Sequence, residues 1–254
     1  MKRGWEPNEE VISIIVPNLN EEKVLPYFLT SLAKQGPGYE LIVVDGGSTD
    51  RSREIIDCYR DRIQITGLID ETRNLGYIRN KGARAARGRI LFFTNSDAVL
   101  AKKLLPRISF IFNSNENILA LSGKTKPWNG GLLCNAGYVC FDLIRAFMAN
   151  HLDKFSPSGN FLAVRSEMFW KIGGFPEIPV NEDGELGQKI SQFCKSNGKK
   201  ARFDLDLSTG HFVKRWKNPV QALSFYLYVF GNFHPFLKKI LKPFEQKAGE
   251  IFRK

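Results

Sequence analysis

Asp97 closes the run Ile90-Leu91-Phe92-Phe93-Thr94-Asn95-Ser96-Asp97, in which an apolar stretch passes into a polar tip ending on a carboxylate. A carboxylate is a hard oxygen ligand for a divalent cation, so a metal-bound diphosphate could sit at that tip. Two earlier segments have the same form. Val11 to Val16, with Pro17, passes into Asn18-Leu19-Asn20-Glu21-Glu22, and Leu41 to Val44 passes into Asp45-Gly46-Gly47-Ser48-Thr49-Asp50. Asp45 can accept hydrogen bonds from a ligand, and the glycines beside it let backbone approach closely. Arg79 and Asn80 add planar donors. Further on, Glu182-Asp183-Gly184-Glu185 supplies carboxylates that could take a proton from a hydroxyl nucleophile. Each group has a plainer reading as well. Asp, Ser and Gly make ordinary turns, and acidic residues favour the first turn of a helix such as the one Leu186 and Ile190 would continue.

The elements that must position these residues follow from periodicity. The three apolar runs read as strands, and helical spacing follows the first two, with Val24, Leu25, Phe28, Leu29 and Leu32 after one and Ile55, Ile56 and Tyr59 after the other. Asp50 is placed to cap the second helix. Strand, polar turn and helix in repetition imply right-handed crossovers and a mostly parallel sheet. In such α/β sheets ligands bind at the carboxyl ends of the strands, so the polar tips should line one crevice. At 254 residues and 43% hydrophobic content the chain can bury one large α/β domain. Four cysteines, Cys58, Cys134, Cys140 and Cys194, have neither zinc nor dense disulfide spacing and read as reduced thiols. Residues 1–10 are too polar for a secretory signal, which points to the cytoplasm.

A series of ordered motifs carries a family resemblance. Ile14-Ile15-Val16-Pro17-Asn18-Leu19-Asn20-Glu21-Glu22 and Ile42-Val43-Val44-Asp45-Gly46-Gly47-Ser48-Thr49-Asp50 resemble the opening of family 2 glycosyltransferases of the GT-A fold. Asn74-Leu75-Gly76-Tyr77-Ile78-Arg79-Asn80-Lys81-Gly82-Ala83 is similar to the next signature, and Asn95-Ser96-Asp97 stands in the place of the Asp-x-Asp metal motif. Ile172-Gly173-Gly174-Phe175-Pro176 and Asn181-Glu182-Asp183-Gly184-Glu185-Leu186 resemble the segments around the catalytic base. The resemblance covers about residues 10 to 216.

The resemblance implies a GT-A type, Rossmann-like sheet flanked by helices and an inverting transfer of sugar from a UDP- or GDP-sugar. Pro17, Asn18, Asn20, Glu21, Asp45, Gly46, Ser48, Arg79, Asn95 and Ser96 would then bind the donor, with Asn160 of Ser158-Gly159-Asn160-Phe161 beneath the sugar. Asp183 would be the base, with Glu182 its nearest competitor. Asp97 would ligate manganese or magnesium and His211 would complete the set. Asn95 departs from the pattern by replacing the first Asp, which removes one negative charge and should weaken the metal. In His211-Phe212-Val213-Lys214-Arg215-Trp216 the Arg-Trp pair is similar to part of a motif of processive relatives, and Arg215 could contact the departing diphosphate. Trp128, Asn129, Gly130, Gly131 and Trp170 could border an acceptor pocket.

Charge bears on partners. Residues 199–254 hold 12 Lys and Arg against 4 Asp and Glu, which is +8 of the chain's +11. The expected division is a catalytic domain at 1–217 and a basic, aromatic-rich helical extension at 218–254. Val220 to Phe230 is apolar on nearly every face, and Phe233 to Lys242 mixes aromatics with lysines. Such a segment suits peripheral contact with the cytosolic face of a membrane, near a glycan or lipid-linked acceptor, and equally suits packing on protein. It is too interrupted to span a bilayer. Two other classes stay open: a nucleotidyltransferase, for which no Gly-rich, Arg-containing phosphate loop follows Pro17, and a silent basic module for membranes or polyanions. Nucleic acid is not expected, because no recognised nucleic-acid motif accompanies the charge.

Overall fold

The three apolar runs become adjacent parallel strands at the centre of one sheet: β1 (Ile12–Asn18), β2 (Tyr39–Asp45) and β4 (Ile90–Phe93), with β3 (Ile65–Ile69) beside β2. The computed structural model describes residues 11–128 and 131–212, so Asn129, Gly130, Arg215, Trp216 and the extension at 218–254 lie outside the described residues. Every residue of β4 is buried, as is all of β1 except Pro17, because helices cover both faces of the sheet. Alternation along the strands divides the core in two. Ile12, Ile14, Val16, Leu41, Val43 and Phe92 face α1 (Leu25–Ala33) and α4 (Leu104–Ser114). Ile15, Ile42, Val44, Leu91 and Phe93 face α3 (Leu75–Ala85) and α7 (Glu182–Ser196). Ser13 interrupts the apolar run, and its hydroxyl is satisfied inside the core by donating to Glu40 Oε1 at 2.6 Å and accepting from Gly88 N at 2.8 Å.

The sheet continues past β4 with less regular geometry. Its order is β3-β2-β1-β4-β7-β6-β8-β5, where β5 is Ala98–Leu100, β6 Ile118–Pro127, β7 Leu162–Arg165 and β8 Lys200–His211. β7 runs antiparallel to both β4 and β6, β8 runs parallel to β6, and β5 runs antiparallel to β8. Six strands therefore share one direction. The tips of β1, β2 and β4 lie at the same end, as the polar-tip pattern requires, and β8 closes beside β5 so that Ala98 pairs with His211.

Helix starts follow local chemistry. Asn74 caps α3 by accepting from Tyr77 N at 3.0 Å, and α7 opens on three acids, Glu182, Asp183 and Glu185, where the helix dipole favours negative charge. The second helix, α2 (Ser52–Asp57), is shorter than the Ile55-Ile56-Tyr59 stripe suggests. Asp50 accepts from Ser52 N at 2.9 Å and from Glu22 N at 3.0 Å, so it ties the helix start to the β1 tip. Two elements remain to be placed: α5 (Leu132–His151), a 20-residue helix following β6, and α6 (Ser166–Lys171). Among the described residues no helix is long and apolar enough to cross a membrane, and the cysteines are free thiols.

Candidate active site

Asp45 is the hub of the first cluster. Its Oδ1 accepts from Ser48 N at 2.7 Å, Gly47 N at 3.1 Å and the Arg53 guanidinium at 3.0 Å; its Oδ2 accepts from Ser48 Oγ at 2.7 Å and Asn18 Nδ2 at 2.8 Å. Burial alone would raise the Asp45 pKa, yet the donors from Ser48, Asn18 and Arg53 outweigh it and hold the group below its ordinary value. Ser48 Oγ also accepts from Asn20 N at 3.0 Å, and Asn20 Oδ1 accepts from Thr49 N at 2.8 Å. The tips of β1 and β2 are thus stitched into one rigid ledge. The glycine demanded by backbone is Gly47, at φ 88, whereas Gly46 lies in ordinary contact and donates its N–H to Asn18 O at 2.8 Å. Asp70, just past β3, donates its N–H to Asp45 O at 2.8 Å and is held by Lys81 at 2.7 Å, a pair that the apolar periodicity gave no reason to single out.

Arg79 organises the second cluster. Its Nη1 donates to Glu182 Oε1 at 2.7 Å and to Asp183 Oδ1 at 2.9 Å, and its Nη2 lies 3.4 Å from Asn95 Oδ1 and 3.5 Å from Gly159 O. Arg79, expected among the donor-binding residues, is 2% exposed and committed to two carboxylates. Asn80, expected as a second donor, is used up on the Phe175 backbone, donating at 2.9 Å and accepting at 2.9 Å. Asp183 keeps 28% of its side chain exposed while Glu182 keeps 10%, so Asp183 is the carboxylate that can meet a substrate. Burial and the negative charge of Glu182 raise the Asp183 pKa, and Arg79 and Arg145 oppose them; the net direction is upward.

Asn95 joins the second cluster. Its amide donates to Asn160 Oδ1 at 2.5 Å and its oxygen faces Arg79, so the structure engages it with neighbours of Asp183. Thr94 Oγ1 donates to Asn160 O at 2.9 Å, which seats the 158–160 turn on the β4 tip. Ser96 is buried at 3% exposure, Pro17 is half-buried in β1, and Glu21 donates its N–H to Ser52 Oγ at 2.9 Å.

Asp97 and His211 are brought together by the β5–β8 pairing, in which Phe212 N donates to Asp97 O at 3.3 Å. His211 is buried; burial lowers its pKa, opposed by the Asp97 charge and the Lys126 carbonyl. Its Nε2 lies 3.1 Å from Tyr138 Oη, and its Nδ1 is buried without a well-formed hydrogen bond among the described residues. A neutral imidazole beside a carboxylate fits a divalent cation as an incomplete ligand set, since among the described residues no three acids, histidines or cysteines converge. Around this pair Trp128 stacks on Phe212 at 5.7 Å, Phe212 meets Tyr27 at 5.2 Å, and Trp128 and Tyr27 stay more than half exposed. Trp170 does not join them. It packs on Phe169 and on Arg84 in the last turn of α3.

Comparison with known proteins bears on the fold and on the sequence of its first half. Residues 13–132 match the sequence model of Glycosyl transferase family 2. The chain is 33% identical over 124 residues to the poly(ribitol-phosphate) beta-N-acetylglucosaminyltransferase TarS of Staphylococcus aureus, covering 46% of this chain and 21% of that one. It thus spans about a fifth of the length of that relative. The structure of S. aureus TarS 1-349 in complex with UDP-GlcNAc superposes with TM-score 0.65 at 22% identity, covering 87% of this chain and 65% of that one. The mannosyltransferase PcManGT from Pyrobaculum calidifontis, in complex with GDP-Man and Mn2+, superposes with TM-score 0.66 at 18% identity, covering 94% and 68%. At such identities the structural likeness speaks for the fold. The sequence match and the fold together lead to one conclusion: residues 13–132 carry the sequence pattern of glycosyl transferase family 2, and the chain has the GT-A fold of these relatives.

Proposed function

We propose that the protein transfers a sugar from a nucleotide-sugar to an acceptor hydroxyl with inversion at the anomeric carbon. The observation that carries this reading is the Arg79 fork, which draws Asp183, Glu182, Asn95 and the 158–160 turn to the end of the sheet where Asp45 and Asp97 also lie. The ledge of Asn18, Asn20, Asp45 and Ser48 presents acceptors and donors suited to a nucleoside, with Pro17, Glu21 and Gly46 shaping its edge. Asn95, Ser96 and Asn160 border the sugar. Asp97 and His211 would hold a divalent metal, manganese or magnesium, whose charge when bound neutralises the leaving diphosphate.

The protein's own groups then account for the transfer. Asp183 accepts the acceptor's proton as its oxygen bonds to the anomeric carbon, while the bond to the diphosphate oxygen breaks and the nucleoside diphosphate departs. Arg79 has no proton to receive, and its role is to hold Glu182 and Asp183 side by side. The raised Asp183 pKa makes it a better base than an ordinary carboxylate. Inversion follows from a single displacement, since retention would need a nucleophilic carboxylate close to the anomeric centre in addition to the base.

TarS, by its name, uses a poly(ribitol-phosphate) acceptor. For this chain we propose a glycan or lipid-linked acceptor, with exposed Trp128 and Tyr27 offering aromatic faces for sugar stacking. The basic residues at 218–254 and Arg215 would bring the site toward anionic lipid at a cytosolic membrane face. Screening UDP- and GDP-sugars with manganese or magnesium tests the reading. One donor should raise the melting temperature and be hydrolysed slowly. No shift and no hydrolysis with any donor would contradict it.

A further inference from the structure

Asp142 and Arg145 form an ion pair that the reaction described above does not use. They lie one turn apart on α5 with 3.5 Å between them, and their side chains are 4% and 3% exposed. Withdrawing two charges from water costs several kcal/mol per ion, so such a pair is a poor way to gain stability. Its contacts point elsewhere. Arg145 Nε donates to Ser156 O at 2.7 Å, and its guanidinium lies over the rings of Phe141 and Phe203 at 5.2 and 5.1 Å. Asp142 Oδ2 accepts from Thr125 N at 3.1 Å, and Thr125 Oγ1 lies 3.2 Å from Ser158 Oγ.

Both members therefore grip the segment 155–160, one directly and one through Thr125. From its other side α7 holds the same segment. Ser191 Oγ accepts from Phe155 N at 2.8 Å, and a methyl group at Gly187 would lie 2.5 Å from Phe155 O. The segment ends against the base itself, because a methyl group at Gly159 would lie 2.6 Å from Asp183 Oδ2.

We propose that Asp142 and Arg145 are positioning residues for Asp183: Arg145 fixes the turn on which the Asp183 carboxylate rests and adds a second buried positive charge to its surroundings, and Asp142 moderates that charge. The inference rests on the assignment of Asp183 as the base. The charged groups facing Asp183 are Arg79 from α3, Glu182 from its own helix and Arg145 from α5; those facing Asp142 are Arg145 and Lys124 of β6.

The test is the pH dependence of kcat/KM for the full chain, read at its acid limb. The probe is UDP-GlcNAc or GDP-mannose, whichever the protein turns over, with Mn2+. Arg145→Met should move the limb to higher pH by at least about 0.5 unit, and Arg145→Lys should bring it back, because the positive charge is restored. Asp142→Asn should move it the opposite way, since Arg145 then acts on Asp183 unopposed. Opposite signs are a result that general loosening of the fold cannot produce. Limbs that coincide with the parent, or that move together, overturn the proposal. Should Arg145→Met fail to fold, Asp142→Asn decides alone, and an unmoved limb overturns the idea. Asp183→Asn measured in parallel separates the two assignments. If it turns over like the parent, the base itself is wrong; if it is inactive while the limbs stand still, only the positioning role fails.

Discussion

Asp45 is buried and Asp183 partly buried, and their surroundings push them in opposite directions. Asp45 accepts from five donors and titrates below its ordinary value, so it stabilises the fold above its unfolded pKa of about 3.9 and loses that contribution as pH falls through its folded value. Ser48→Ala removes the hydroxyl shared by Asn18, Asn20 and Asp45 and should cost roughly 1–3 kcal/mol in denaturant unfolding, with acid unfolding beginning at higher pH. Asp183 is the reverse case. Its raised pKa means the ionised form costs stability that is absent below the unfolded pKa and full above the folded one. Asp183→Asn should therefore melt no lower than the parent at pH 7, and its relative advantage should fade toward pH 4, while turnover drops by about 10²–10⁴. A variant that loses activity by unfolding would show the opposite trend in melting temperature.

At the scale of elements, two glycines carry more than a turn. Gly47 sits at φ 88 between β2 and α2, where a side chain would also crowd Glu71, so Gly47→Ala should lose roughly 1–3 kcal/mol. Gly159→Ala should lower kcat with less effect on melting, because the added methyl meets the Asp183 carboxylate first. The first half of the sheet was legible because β1, β2 and β4 are apolar runs ending on polar tips, and α1 carries a clear stripe. α5 was not legible: its only charged residues, Asp142 and Arg145, are buried, and Leu132, Val139, Leu143 and Phe147 are exposed, which inverts the usual pattern. β7 is four residues long and pairs across a wide sequence separation, so no local period announces it. Arg79 reads alone as a surface donor, and only the fold shows it buried between Glu182 and Asp183.

Across the whole molecule, charge and chemistry occupy different regions. The described domain holds the carboxylate-rich sheet end, and much of the excess positive charge falls in residues 199–254. Full-length protein should float with anionic vesicles in a salt-sensitive way, and a chain ending near Asn218 should not. Equal, poor flotation of both would remove the membrane partner and leave the catalytic reading untouched. That reading depends on donor binding and proton removal being separate duties of one convergent site. Calorimetric titration of the turned-over nucleotide-sugar with Mn2+ into Asp97→Ala and Asp183→Asn, alongside single-turnover transfer, tests it most directly. Asp97→Ala should lose metal-dependent binding, and Asp183→Asn should bind the donor within a few-fold of the parent yet fail to transfer. Transfer by Asp183→Asn at the parent's rate, or unchanged metal-dependent binding by Asp97→Ala, would contradict the account.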